Sequence, residues 1–180
     1  LNYKVVKFTE FKIKDRVFWN FFPDSCRHCT EPPCKLAADG HVKDAVVIDP
    51  ATGAVIFTDK TRKISDEGFL MMKEYCPYNV PRRDPETKLI NKCDMCLERV
   101  EVGQVPMCVK TCPTGTMNFG DRDKMIALAH ERLAKVKEEF PEATLLDEDS
   151  VRVIYLITHP RKMYPHFAAI DQHKKNASLA

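Results

Sequence analysis

The chain has 180 residues, 28 basic against 26 acidic side chains, a formal net charge of +2 and 44% apolar content. That balance fits one domain, or one domain with an extension, able to bury a real core, and it argues against disorder and against a polyanionic partner such as nucleic acid. No run approaches the roughly 18 apolar residues needed to span a bilayer, and no export leader is visible.

Residues 3–13, "YKVVKFTEFKI", mostly alternate apolar and polar and predict a strand. "VFWNFF", 17–22, is aromatic-rich and strand-like, and runs straight into a cysteine loop, "CRHCTEPPC". Next, "DAVVIDPATGAVIFTD" predicts a hairpin, with Pro50 presetting the turn and Gly53 permitting positive φ. "SDEGFLMMKEYCP" predicts a short helix capped by Ser65, acidic in its first turn and stopped by Pro77. "RDPETKLINKC" echoes "IDPATGAVIFT", which suggests an internal repeat of cysteine loop, turn-bearing strand pair and helix ending in Cys-Pro.

A second cysteine loop, "NKCDMCLERVEVGQVPMCVKTCPTGTMNFG", follows. Asp121 then caps a helix expected to reach about Phe140, with Met125, Leu128, Ala129, Leu133, Val136 and Phe140 on one face, read as packing onto the domain. "VRVIYLI", 151–157, predicts a final strand, and the polar tail after Phe167 reads as loosely held. The basic clusters "PRRD" and "HKK" read as solvated surface.

The eight cysteines carry the chemistry. Cys26, Cys29 and Cys34, and Cys93 and Cys96, are grouped with two to four residues between neighbours, and Cys76 and Cys112 precede prolines. Such grouping suits thiolates converging on a metal and is poor geometry for disulfides. Bacterial-type ferredoxins use C-x2-C-x2-C-x3-C-P, in which three thiolates bind one cluster and the Cys-Pro thiolate binds the other.

The first loop has three ligands without its Cys-Pro; Ala38 stands near the expected fourth position. Cys76-Pro77 has the ending without its beginning, since Asp66, Phe69 and Met72 occupy the three preceding positions. The two defects complement each other. Cys26, Cys29, Cys34 and Cys76 are therefore expected to hold one 4Fe–4S cluster, while the partner cluster is lost and Phe69 and Met72 fill its space. A four-thiolate zinc site is the competing reading; the wider spacing and the terminal Cys-Pro favour iron–sulfur.

Arg27, His28, Lys35, Lys92 and Lys110 lie beside candidate ligands and could raise a cluster's potential, but such residues are more often simply solvated, and none receives a specific role. The six histidines show no metal-pair spacing, and His28 reads as structural or exposed. With no nucleophile–base pair, phosphate loop or His–carboxylate metal set, the chain reads as non-catalytic alone.

Together "CRHCTEPPC", "CPYNVPR", "KCDMCLERV" and "PMCVKTCPTGTMNFG" resemble the iron–sulfur electron-transfer subunits of molybdenum- or tungsten-pterin oxidoreductases. The likeness is nearest to the small (beta) subunit of soluble periplasmic formate dehydrogenases from sulfate-reducing bacteria, and it covers nearly the whole chain. It implies an α+β, ferredoxin-like scaffold with an internal pseudo-repeat and one lost cluster site over residues 1–120. Residues 121–180 would form a C-terminal helix and strand extension packed on it.

The resemblance further implies that Cys93, Cys96 and Cys108 bind a second cluster. Their fourth ligand would come from a four-cysteine motif the family carries near its N-terminus, whose own cluster Cys112 would complete. No such motif precedes Cys26. Either an upstream segment exists, which the opening Leu1 favours and which would make three clusters, or Cys112 closes the second cluster locally and there are two.

The implied partners are a large catalytic subunit holding the molybdenum- or tungsten-pterin, in a heterodimer exported to the periplasm with it, and an electron acceptor such as a cytochrome. The implied role is relay of electrons from formate oxidation to that acceptor. Nitrate, polysulfide or dimethyl sulfoxide reductase is the alternative complex, which the loss of one internal cluster disfavours, and a zinc-stapled interaction module is the third reading.

Overall fold

A computed structural model describes residues 3–164. Strands β1 (Lys4–Ile13) and β2 (Arg16–Ser25) pair antiparallel in a long ribbon, turning at Lys14 with φ 52°. Alternation sends Phe22 and Asn20 inward, and leaves Val6, Phe8, Val17, Trp19 and Phe21 exposed on the other face.

After the first cysteine loop come α1 (Pro33–Asp39), β3 (Val46–Ile48) and β4 (Val55–Phe57). Proline sits in the first turn of α1, where no amide donor is missed. α2 (Asp66–Tyr75) begins where Ser65 Oγ accepts from the Gly68 amide at 3.1 Å. β5 (Arg82–Arg83) and β6 (Ile90–Asn91) form a second small hairpin, followed by α3 (Leu97–Glu101) and α4 (Met107–Lys110). α5 (Arg122–Lys137), β7 (Thr144–Leu146) and β8 (Tyr155–Ile157) complete the described chain. Each sheet among the described residues is a single antiparallel pair.

The β3–β4 and β5–β6 turns have the same construction. In the first, Asp49 accepts from the Thr52 amide at 2.7 Å, and its carbonyl accepts from the Gly53 amide at 2.8 Å. In the second, Asp84 accepts from the Thr87 amide at 2.7 Å, and its carbonyl accepts from the Lys88 amide at 3.0 Å. Gly53 and Lys88 both take positive φ, 70° and 60°. The shared Asp-Pro-x-Thr pattern thus encodes one turn twice.

α1 packs on α2, and the main apolar cluster lies between them and the β3–β4 hairpin. It joins Cys34, Ala38, Val46, Ile64, Met72 and Ile90, with Phe69 packed against it. A smaller cluster joins Cys76, Tyr78 and Val151.

Several expectations need adjustment. "VRVIYLI" is a strand only over its last three residues, because the Arg152 and Val153 amides donate to Arg27 O, at 3.0 and 2.9 Å, and are unavailable to a sheet partner. Its partner β7 is too short to show an alternating pattern in the sequence. α5 ends at Lys137, before Phe140; the expected apolar stripe is half-buried rather than core. Asp121 sits at its N-cap but makes no capping bond, pairing with Lys124 at 2.7 Å. Within "PRRD", Arg83 is not simply solvated: it bonds Asp66 at 2.6 Å and Ile64 O, and stands over the Phe69 ring at 4.9 Å. "HKK" and the tail after Phe167 lie outside the described residues. No helix among the described residues is long and apolar enough to cross a membrane.

Candidate metal centre

Cys26, Cys29, Cys34 and Cys76 line one cavity. The first three come from a single loop, and local geometry turns them inward. His28 adopts φ 48°, a left-handed bend that lets its amide donate to Cys26 Sγ at 3.4 Å. Pro32 and Pro33 then extend the chain and start α1, which carries Cys34 in its first turn. Cys76 arrives from the far end of α2 as its C-cap, in extended conformation, and Pro77 prevents the helix from continuing past it.

Residues 147–155 strap this loop from outside. Thr30 N donates to Ser150 O at 3.0 Å, Arg152 Nη1 donates to Cys29 O at 3.2 Å, and Val151 packs beside Cys76 and Tyr78. Tyr78 OH donates to Asp147 Oδ2 at 3.0 Å. The Asp147 carboxylate also receives Arg161 on both oxygens at 2.6 Å.

Three of the four thiols are held well above the ordinary thiol range. Burial pushes the Cys29 thiol up to about 12, and the Cys26 and Cys76 thiolates add to the rise. Burial also raises Cys34, again with repulsion from Cys76 and Cys26. Cys76 rises to about 11 through burial, although backbone amides from Val80, Tyr78 and Asn79 oppose it. Binding a metal as thiolates would require these thiols to lose their protons, a change that cationic charge among them favours.

The donor set fits an iron–sulfur cluster. Thiols from two chain segments surround a cavity, one sulfur accepts a backbone N–H, and basic groups line the wall. Among the described residues no three His, Cys, Asp or Glu side chains meet as a single-ion site would require.

Of the basic residues beside candidate ligands, Arg27 and Lys92 are buried, contrary to the solvated reading, and His28 is buried as the structural reading expects. Arg27 lies 3.9 Å from the Tyr155 ring centroid and 3.8 Å from Asp24. His28 is fully buried; its Nδ1 accepts from the Val55 amide at 3.0 Å, and Nε2 has no hydrogen-bond partner. Burial holds the His28 pKa down to about 2, with the Lys92 and Arg152 charges adding to the effect, so the ring is neutral. Lys92 Nζ donates to Val55 O at 2.5 Å and Cys93 O at 2.9 Å. Lys35 pairs with Asp39 at 2.6 Å at the surface, and Lys110 is exposed, as expected of both.

Cys93, Cys96, Cys108 and Cys112 lie outside this cavity and are half-buried. Cys93–Cys96 repeats the first loop's bend: Met95 takes φ 64°, and its amide donates towards Cys93 Sγ at 3.5 Å. Burial pushes Cys93 up to about 11. Cys96, at φ 52°, begins α3, and Cys108 lies within α4. Cys112 follows α4; the Thr114 hydroxyl, with backbone amides including that of Met117, lowers its thiol to about 7. The sequence pattern identified all eight thiols, but not Tyr78, Arg152 or the burial of Lys92, which no local signal announces.

A model of the 4Fe-4S dicluster domain matches residues 17–122. The formate dehydrogenase 2 subunit beta (cytochrome c-553) of Nitratidesulfovibrio vulgaris is 52% identical over 168 residues, covering 93% of this chain and 77% of that protein. The formate dehydrogenase subunit beta of Megalodesulfovibrio gigas is 47% identical over 166 residues, covering 92% and 76%. The formate dehydrogenase iron-sulfur subunit of Haemophilus influenzae is 38% identical over 162 residues, covering 88% and 50%.

Proposed function

The chain belongs to the family of formate dehydrogenase iron–sulfur beta subunits, built on a 4Fe–4S dicluster domain, and from that premise we propose that it relays electrons from formate oxidation to an external acceptor. It has no catalytic site of its own for this reaction; a catalytic partner subunit carries the chemistry. Iron–sulfur clusters supply reversible one-electron redox chemistry. The chain's residues hold them, exclude water and set the local charge.

We assign Cys26, Cys29, Cys34 and Cys76 to one cluster. The observation that carries this is the single cavity these thiols line, although Cys76 is remote from the other three in sequence. In favour of a lost partner site, Ala38 and Met72 are fully buried in one apolar cluster beside Cys34, with Phe69 against it. Asp66 took no part in that filling; it is exposed and paired with Arg83. The twin Asp-Pro-x-Thr turns and the twin bends at His28 and Met95 support the internal repeat. Residues 1–120 carry the thiols, and within the extension of residues 121–180 the segment 147–155 straps the first loop.

Cys93, Cys96 and Cys108 form a second set, completed either by Cys112 or by an upstream thiolate, in which case Cys112 serves a third cluster. The catalytic subunit, in a heterodimer, holds a molybdenum- or tungsten-pterin and is exported with this chain to the periplasm. The exposed ribbon face with Trp19 at 64% and Phe21 at 65% exposure supports a protein partner. A cytochrome acceptor draws support from the name of the N. vulgaris relative, which cites cytochrome c-553.

The test compares Cys76→Ser with Cys26→Ser in the complex. Each is expected to lose the same paramagnetic signal and about four irons, the content of one cluster. Loss of different signals overturns the assignment. Cys112→Ser separates the two closures: it and Cys108→Ser abolish one shared signal if Cys112 completes the second set, and different signals otherwise.

A further inference from the structure

Lys92 stands directly before Cys93, yet its side chain lines the cavity of Cys26, Cys29, Cys34 and Cys76. It is only 7% exposed. Its ammonium donates to the carbonyls of Val55 and Cys93, at 2.5 and 2.9 Å, and lies 4.8 Å from the centroid of the Phe57 ring. Among the described residues no carboxylate comes within ion-pair distance of it.

Burying an ammonium against carbonyl dipoles and a ring, with no anion to meet it, is strongly unfavourable. An anion in contact with the ammonium offsets that cost. The cavity beside Lys92 supplies the place, because a cubane held by four thiolates is a dianion when oxidised and a trianion when reduced.

The head of Lys92 is also fixed rather than free to swing. The Val55 peptide is clamped on both sides, its amide donating to His28 Nδ1 at 3.0 Å and its carbonyl accepting from Lys92. His28 belongs to the first cysteine loop and Cys93 to the second. The ammonium is therefore held between the two cysteine loops, anchored to the first through His28 and Val55.

We propose that Lys92 is the built-in counter-cation of the cluster at Cys26, Cys29, Cys34 and Cys76, and that it raises that cluster's reduction potential. The proposal rests on the ligand assignment above. The added electron makes the cluster more negative, so a fixed positive charge favours the reduced form over the oxidised one. In this low-dielectric wall, solvent screens that preference little. Lys92 is a positioning residue for electron transfer: it touches no substrate and sets where the electron rests.

The test is a redox titration of the intact complex, followed by electron paramagnetic resonance, with K92Q and K92R. Glutamine keeps a hydrogen-bond donor without charge; arginine keeps the charge with altered shape. The relevant signal is the one abolished by Cys76→Ser. In K92Q the reduced-to-oxidised ratio at fixed potential is expected to fall at least about tenfold, a downward midpoint shift of about 59 mV for a one-electron couple. K92R is expected to change that ratio by less than about threefold.

An unchanged midpoint in K92Q overturns the proposal, as does an equal drop in both variants, which would assign the effect to packing. Loss of the cluster's iron from K92Q but not from K92R supports it, because the charge is then required for retention. Loss from both overturns it. If Cys76→Ser removes no signal, the ligand assignment fails instead, and that result is distinct from any Lys92 outcome.

Discussion

Met72→Ala tests whether apolar packing has taken over the space between α1 and α2. Met72 has no exposed surface and sits among Val46, Val55 and Ile90, none more than 1% exposed. The substitution deletes Cγ, Sδ and Cε; at about 0.8 kcal/mol per methylene-sized group, the transfer part is roughly 2.4 kcal/mol. Its neighbours are held by α1, the β3–β4 hairpin and β6, so collapse is incomplete. A residual cavity of about 60 Å3, at about 24 cal/mol per Å3, adds roughly 1.5 kcal/mol. The total is about 4 kcal/mol, within the usual range for burying an alanine in place of methionine.

Anaerobic urea unfolding followed by far-ultraviolet circular dichroism measures it. With a slope of about 2 kcal/mol per molar, the midpoint is expected to fall by about 2 M. Leu70→Ala, on the exposed face of the same helix at 57% exposure, serves as the control and is expected to stay within about 0.5 kcal/mol. A Met72→Ala effect no larger than the control's would refute the packing argument. Iron content is expected to stay at the wild-type level, because Met72 is not a ligand.

Ser65→Ala removes the acceptor for the Gly68 amide at the start of α2 and is expected to cost about 1 kcal/mol by the same assay. Thr at that position should recover most of it. Gly53→Ala places a side chain at φ 70° and overlaps the Arg152 guanidinium that bonds Cys29 O; limited proteolysis within residues 147–155 is expected to accelerate, and an unchanged rate would count against the strap. The Thr87 amide and hydroxyl hold the Asp84 carboxyl below the usual carboxylate range. Its folded pKa is depressed, so the turn gains stability above the unfolded pKa and loses it as pH falls through the folded one. A nuclear magnetic resonance titration of Asp84 at or above the ordinary midpoint would contradict this.

Local chemistry made much of this protein legible from residue order alone. The bends within Cys26–Cys29 and its counterpart Cys93–Cys96 were readable because cysteine spacing is a short-range property. The Asp-Pro-x-Thr turns and the Ser65 cap were readable for the same reason: an Asp or Ser side chain bonds an amide three residues on. That Cys76 lines one cavity with the first loop's thiols could be anticipated only from two incomplete motifs whose gaps matched. β7 and the shortened β8 were not legible, since three-residue strands carry no periodicity and the backbone of Arg152 and Val153 was committed to a distant loop.

What the amino-acid order determined by itself is the set of thiols, the turns that present them and the ends of the helices, because each depends on bonds spanning a few residues. Tertiary structure alone decided that Lys92 lines the cavity of another loop's thiols, that His28 is neutral and sealed, and that residues 147–155 lie over Cys29. The reason is physical: burial and the electric field at a point are sums over everything nearby in space, and chain order says little about which distant groups will be near.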